Sequence, residues 1–84
     1  MLEGTLEGTQ RCSATGIEYR FEGHFLGDEP MAYLAWVTDA DDRVLGYVEG
    51  KLALPGGVSR ADVCRAVEAA VRQAIAAGEF TLRR

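Results

Sequence analysis

The stretch Ile17-Glu18-Tyr19-Arg20-Phe21-Glu22-Gly23-His24-Phe25 decides the fold. Its alternation sends Ile17, Tyr19, Phe21 and Phe25 to one side and Glu18, Arg20, Glu22 and His24 to the other. That is the pattern of an antiparallel strand with one buried and one wetted face. Such a strand needs paired neighbours and a cover over its apolar side, and the downstream sequence offers both. Leu26-Gly27-Asp28-Glu29-Pro30 reads as a connecting loop, Met31 to Thr38 as a second strand and Val44 to Leu54 as a third. Between the last two, Asp39-Ala40-Asp41-Asp42-Arg43 is turn chemistry, because aspartates cap their own backbone and tolerate the dihedrals of a tight loop.

A hairpin closed with Asp39 opposite Arg43 would set Trp36 against Gly46, Leu34 against Val48 and Ala32 against Gly50, all on the covered side. A large ring would then lie over a missing side chain. The same register turns Met31, Tyr33, Ala35, Val37, Leu45 and Tyr47 away from the cover, flanked by His24, Glu22, Glu49 and Lys51.

The cover is a helix. Pro55-Gly56-Gly57 breaks the third strand, and Ser59-Arg60-Ala61-Asp62 forms a cap in which Ser59 accepts first-turn amides and Asp62 sits at the positive helix end. Val63, Val67, Ala70, Val71 and Ala74 make one apolar stripe, with Arg65, Glu68, Arg72 and Ala76 opposite, and Gly78 is the stop. Glu79-Phe80-Thr81-Leu82-Arg83 alternates and could add a short strand. Residues 1–15 are polar and glycine-punctuated, and the near-repeat Leu2-Glu3-Gly4-Thr5/Leu6-Glu7-Gly8-Thr9 is too short for a structural repeat; they form a loose tail or an added edge strand. The chain is therefore expected to be a single α+β domain over residues 16–84, an antiparallel sheet of three to four strands with one C-terminal helix on one face.

The order strand-strand-strand-helix, with a glycine-rich turn opening the helix, resembles in topology the C-terminal part of a double-stranded RNA-binding domain. The resemblance implies a lysine cluster at the start of that helix to grip phosphates. Here Ser59-Arg60-Ala61-Asp62-Val63 offers one arginine and one acid, and no helix is expected ahead of the first strand.

Composition sets further bounds. Eighty-four residues suffice for one modest core, and 48% hydrophobic with 26% charged residues describes a globular chain. Thirteen acidic against nine basic side chains give a net charge of -4, which opposes phosphate backbones and anionic lipid. The first residues have neither a basic start nor an apolar run, so a cytoplasmic location is expected. Cys12 and Cys64 are too few for a disulfide framework and read as free thiols in a reducing compartment.

Counting from Asp39 as an EF-hand would, the fifth, sixth and twelfth places are Arg43, Val44 and Gly50, which fails the ligand pattern. His24 is the single histidine, so one chain has neither a triad nor a two-histidine metal site. Cys64, early in the helix beside Arg60 and Arg65, reads as a small hydrophobe rather than a nucleophile. Pro55-Gly56-Gly57-Val58-Ser59 lacks the spacing of a phosphate loop or a dinucleotide turn. These observations predict no enzymatic activity, no cofactor and no metal. What remains is the sheet face that one helix cannot cover, with Met31, Tyr33, Val37, Leu45, Tyr47 and His24 as its expected interaction residues. The expectation is a protein-interaction or self-association module that binds a protein partner or a second copy of itself. A small-ligand or nucleic-acid binder using the same face is the alternative.

Overall fold

The structure is a computed structural model that describes residues 2–27, 30–54 and 57–82. It contains β1 (Leu2–Arg11), β2 (Glu18–Gly27), β3 (Met31–Thr38), β4 (Val44–Leu52), α1 (Arg60–Ala76) and β5 (Thr81–Leu82). All pairings are antiparallel, the sheet order is β1-β2-β3-β4-β5, and α1 covers one face. The expected α+β architecture is present, with five strands rather than three or four. A strand rather than a helix precedes the other three, so the chain has a β-meander where an RNA-binding domain of the double-stranded class begins with a helix. The loop at Asp28 and Glu29, the break at Pro55 and Gly56, and Arg83 lie outside the described residues.

The N-terminal segment is an edge strand ten residues long. Its near-repeat of four residues is two strand periods, so it keeps one facing throughout. Leu2, Gly4, Leu6 and Gly8 turn towards the helix; Glu3, Thr5, Glu7 and Thr9 turn away. The glycines are required by their partners: Gly4 pairs with Phe25 and Gly8 with Phe21. A Cβ at Gly4 would stand 2.5 Å from Phe25 Cζ, and one at Gly8 2.9 Å from Phe21 Cζ. The phenyl rings of β2 therefore lie sideways across β1 in the space the missing side chains leave.

From Cys12 to Ile17 the chain turns tightly. The Cys12 amide donates to the Ile17 carbonyl at 2.9 Å and the Gly16 amide to the Cys12 carbonyl at 2.8 Å, with Gly16 at φ 72°. Ile17, expected on the apolar side of the strand, lies ahead of β2 and is exposed. The Ser13 amide donates to the Ala76 carbonyl at 2.8 Å, which fastens this turn to the end of α1.

The β3–β4 hairpin closes as expected and then departs. The Asp39 amide donates to the Arg43 carbonyl at 3.0 Å, and Asp39 Oδ1 accepts from the amides of Asp41 and Arg43 at 2.9 and 3.0 Å. Asp42 takes the left-handed conformation, φ 61°, that aspartate tolerates. Thr38 then pairs with Val44, but Val37 pairs with Gly46, so Leu45 is an extra residue bulged out of the ladder. A one-residue slip exchanges the faces of a strand relative to its partner. The set of β3 side chains under the helix is thus Met31, Tyr33, Ala35 and Val37, not Ala32, Leu34 and Trp36. Met31, Ala35 and Val37 are fully buried, and Tyr33 packs its ring across Gly50, where a Cβ would stand 2.6 Å from the hydroxyl. The large ring over a missing side chain that the sequence suggested is Tyr33 over Gly50, not Trp36 over Gly46, where a Cβ would instead meet the Thr81 carbonyl of β5.

Helix α1 begins where the cap predicts. Ser59 Oγ accepts from the Asp62 amide at 3.2 Å. Its end is a Schellman motif: the Gly78 amide donates to Ile75 and the Glu79 amide to Ala74, with Gly78 at φ 73°. Val63, Val67, Val71 and Ile75 are its buried stripe. Ile75 completes the series that the alanines were expected to share; Ala70 and Ala74 lie half-buried on its flank. Arg72, expected opposite the stripe, is half-buried. Its guanidinium stacks 5.1 Å from the centre of the Phe21 ring, pairs with Glu68 at 2.7 Å and donates to the Thr9 carbonyl. That last contact and the approach of Cys64 Sγ to the Thr5 carbonyl, 3.9 Å, bring helix side chains to the backbone of the edge strand.

Candidate interaction surface

The face of the sheet away from α1 is built from cross-strand rows that the pairing register defines. The row nearest one end reads Glu3, Leu26, Ala32, Lys51 across β1 to β4; the next reads Thr5, His24, Leu34, Glu49. The central row reads Glu7, Glu22, Trp36, Tyr47, with Thr81 of β5 beyond. Trp36 is 41% exposed and Leu26 45%. The rings of Trp36 and Tyr47 meet edge to face, centroids 5.7 Å apart at 70°, an arrangement that fixes both side chains on an open surface. Leu34 is half-buried between His24 and Glu49.

The expected interaction residues divide between the faces. Met31 and Val37 are core, and Tyr33 and Leu45 pack against it, so none of the four belongs to the open surface. Tyr47 and His24 are on the open face as expected. Trp36, Leu34, Ala32 and Leu26 stand where the displaced residues had been expected. The bulge at Leu45 is the physical cause, and nothing in the residue types of β3 reveals it, because Met-Ala-Tyr-Leu-Ala-Trp-Val is apolar on both sides.

Charge on this face is segregated. Glu3, Glu7, Glu18 and Glu22 occupy the β1–β2 half, with Arg11 and Arg20 at its far end; Lys51 and Glu49 are on β4. Arg20 is paired with Asp42 of the hairpin turn. Glu7 stands directly opposite Glu22, a like-charge pair that is unfavourable in a cross-strand position.

The thiols lie far from each other, and Cys64 lines a depression that Thr5, Glu22, His24 and Trp36 of this face share. Cys12 is 2% exposed, with Gly78 beside its sulfur, whereas Cys64 lies half-buried near Thr5 at the opposite end of the helix. The twelve helical residues after Cys64, to the end of α1 at Ala76, span about 18 Å, so the two sulfurs cannot bridge. The Thr15 hydroxyl, and after it the Thr15 backbone, holds the Cys12 thiol below its ordinary value, against the opposing effect of burial. Among the described residues no three His, Cys, Asp or Glu side chains converge as metal ligands, and no helix is long and apolar enough to cross a membrane. The chain matches no family model, no curated protein and no solved structure at a significant level.

Proposed function

We propose that this chain is a non-enzymatic interaction module that docks a protein surface, its own or a partner's, on the open face of its sheet through Leu26, Leu34, Trp36 and Tyr47. The observation that carries the reading is the exposed Trp36, held edge to face by Tyr47 at the centre of a face the single helix leaves uncovered. Aromatic residues fixed before binding lose little conformational freedom on association, which is why they serve as anchors in interfaces. The acidic balance of the same face disfavours a phosphate backbone as the occupant, and free thiols at both ends of the helix suit a reducing, cytoplasmic setting.

Trp36 is the single tryptophan of the chain, so its fluorescence reports this face alone. Docking predicts a blue shift and reduced quenching by acrylamide as the protein is concentrated or a partner is added. An emission maximum and quenching constant that stay those of a solvated indole from about 1 μM to about 1 mM would remove the self-association branch of this reading.

A further inference from the structure

We infer that the occupant of the open face is a second copy of this chain, stacked face to face about a two-fold axis that runs along the strands between β2 and β3. The inference rests on the open-face reading and names its partner and geometry. Such an axis carries β1 of one copy over β4 of the other and β2 over β3, and it keeps each cross-strand row over itself. In the end row Glu3 then meets Lys51 of the second copy, twice by symmetry, while Leu26 meets Ala32. In the central row Glu7 meets the Tyr47 hydroxyl and Glu22 the Trp36 indole N–H, so both carboxylates of this row face a donor on the other half.

The alternative two-fold axis, in the plane of the face but across the strands through the central row, would lay Glu7 on Glu7 and Glu22 on Glu22. Charge therefore selects the axis along the strands. Area sets the extent of the contact. Four strands about 4.8 Å apart, each eight to ten residues long at about 3.3 Å per residue, present on the order of 600 Å² in projection, against about 800 Å² per partner in a standard interface. Only a stack of the whole face approaches that size, and the dimer it forms is a concentration-dependent one.

The test is a charge exchange. Within one chain Glu3 and Lys51 lie three strand spacings apart, about 14 Å, and both are exposed, so neither Glu3→Lys nor Lys51→Glu disturbs the fold. Sedimentation of the full chain across a concentration series should show a dimer for the wild type. Each single exchange turns two symmetric pairs repulsive and should weaken it about tenfold, and the double exchange should restore it to within about threefold. A dimer that shields Trp36 but is weakened equally by the single and double exchanges would overturn this pairing while leaving the open-face reading intact. A wild type that stays monomeric throughout, with Trp36 solvated, overturns the inference outright.

Discussion

Val37 and Trp36 are neighbours in sequence, and the bulge at Leu45 decides which of them is core. Val37→Lys places an ammonium where the native side chain is 0% exposed, among Ala35, Val48 and the helix stripe. The lost valine burial costs about 1.5 to 3 kcal/mol, and an unpaired buried charge adds several more. An 84-residue domain has about 4 to 12 kcal/mol of total stability, so the substitution consumes most or all of it. Trp36→Lys loses the edge-to-face contact with Tyr47, about 0.5 to 1.5 kcal/mol, while the lysine stem still lies along the sheet and its head reaches water. The expected change is about 1 kcal/mol, or about 4 to 8 °C in Tm. Urea denaturation followed by far-ultraviolet circular dichroism, at a concentration where the protein is monomeric, measures both. The pH dependence is a second signature. A lysine buried at position 37 has a folded pKa below its unfolded value of about 10.4, so the unfolded chain binds more protons between the two values and stability rises with pH across that window. The lysine at position 36 gives no such slope. A folded, pH-insensitive Val37→Lys beside an unfolded Trp36→Lys would mean that β3 shows its other face to the helix and that Leu45 is not bulged.

The glycines of β1 should resist even the smallest side chain: Gly4→Ala, whose Cβ meets the Phe25 ring, is expected to cost about 1 to 3 kcal/mol by overpacking, whereas Gly57→Ala in open space loses only what its left-handed backbone imposes; thermal melts compare the two. Arg72→Ala removes the stack on Phe21, the Glu68 pair and the bond to Thr9, and should destabilise by about 1 to 2 kcal/mol in denaturant titrations, while Arg65→Ala, whose partner Asp62 is exposed, stays near neutral. Asp62 is held below the ordinary carboxylate range by the Ser59 hydroxyl and then by Arg65. Its folded pKa is the lower one, so its contribution is complete above the unfolded value of about 3.9 and is lost as pH falls through the folded value; Asp62→Asn should flatten that acid limb, as melts across pH 2 to 5 would show. A thiol reagent should label Cys64 before Cys12 in the native protein, and Cys12 only on unfolding; the reverse order would mean that the 12–17 turn opens from the end of α1.

Residues whose facing follows from their own chemistry were legible in the sequence. The alternation from Glu18 to Phe25 defines β2 and both its faces, because charged side chains cannot enter the core and phenyl rings are stabilised there. Ser59, Asp62 and Gly78 mark the helix ends, since each satisfies orphan backbone groups by local bonds, and Val63, Val67 and Val71 mark its buried stripe by spacing alone. On the candidate surface the same logic placed His24, whereas Tyr47 was placed by the hairpin register, which has the facing of Tyr47 right and that of β3 wrong. What only the tertiary structure decided are positions whose role depends on a neighbour in space. β1 alternates leucine and threonine with glycine and glutamate, which are depleted in strands, and it exists because Phe21 and Phe25 lie across Gly8 and Gly4. Arg72 is half-buried because Phe21 and Thr9 are beneath it. Trp36 became the centre of the open face, and Val37 part of the core, through one extra residue at Leu45. Nothing within β3 could distinguish the two facings, because its apolar residues fill both, and the energy that chose between them comes from the strands on either side.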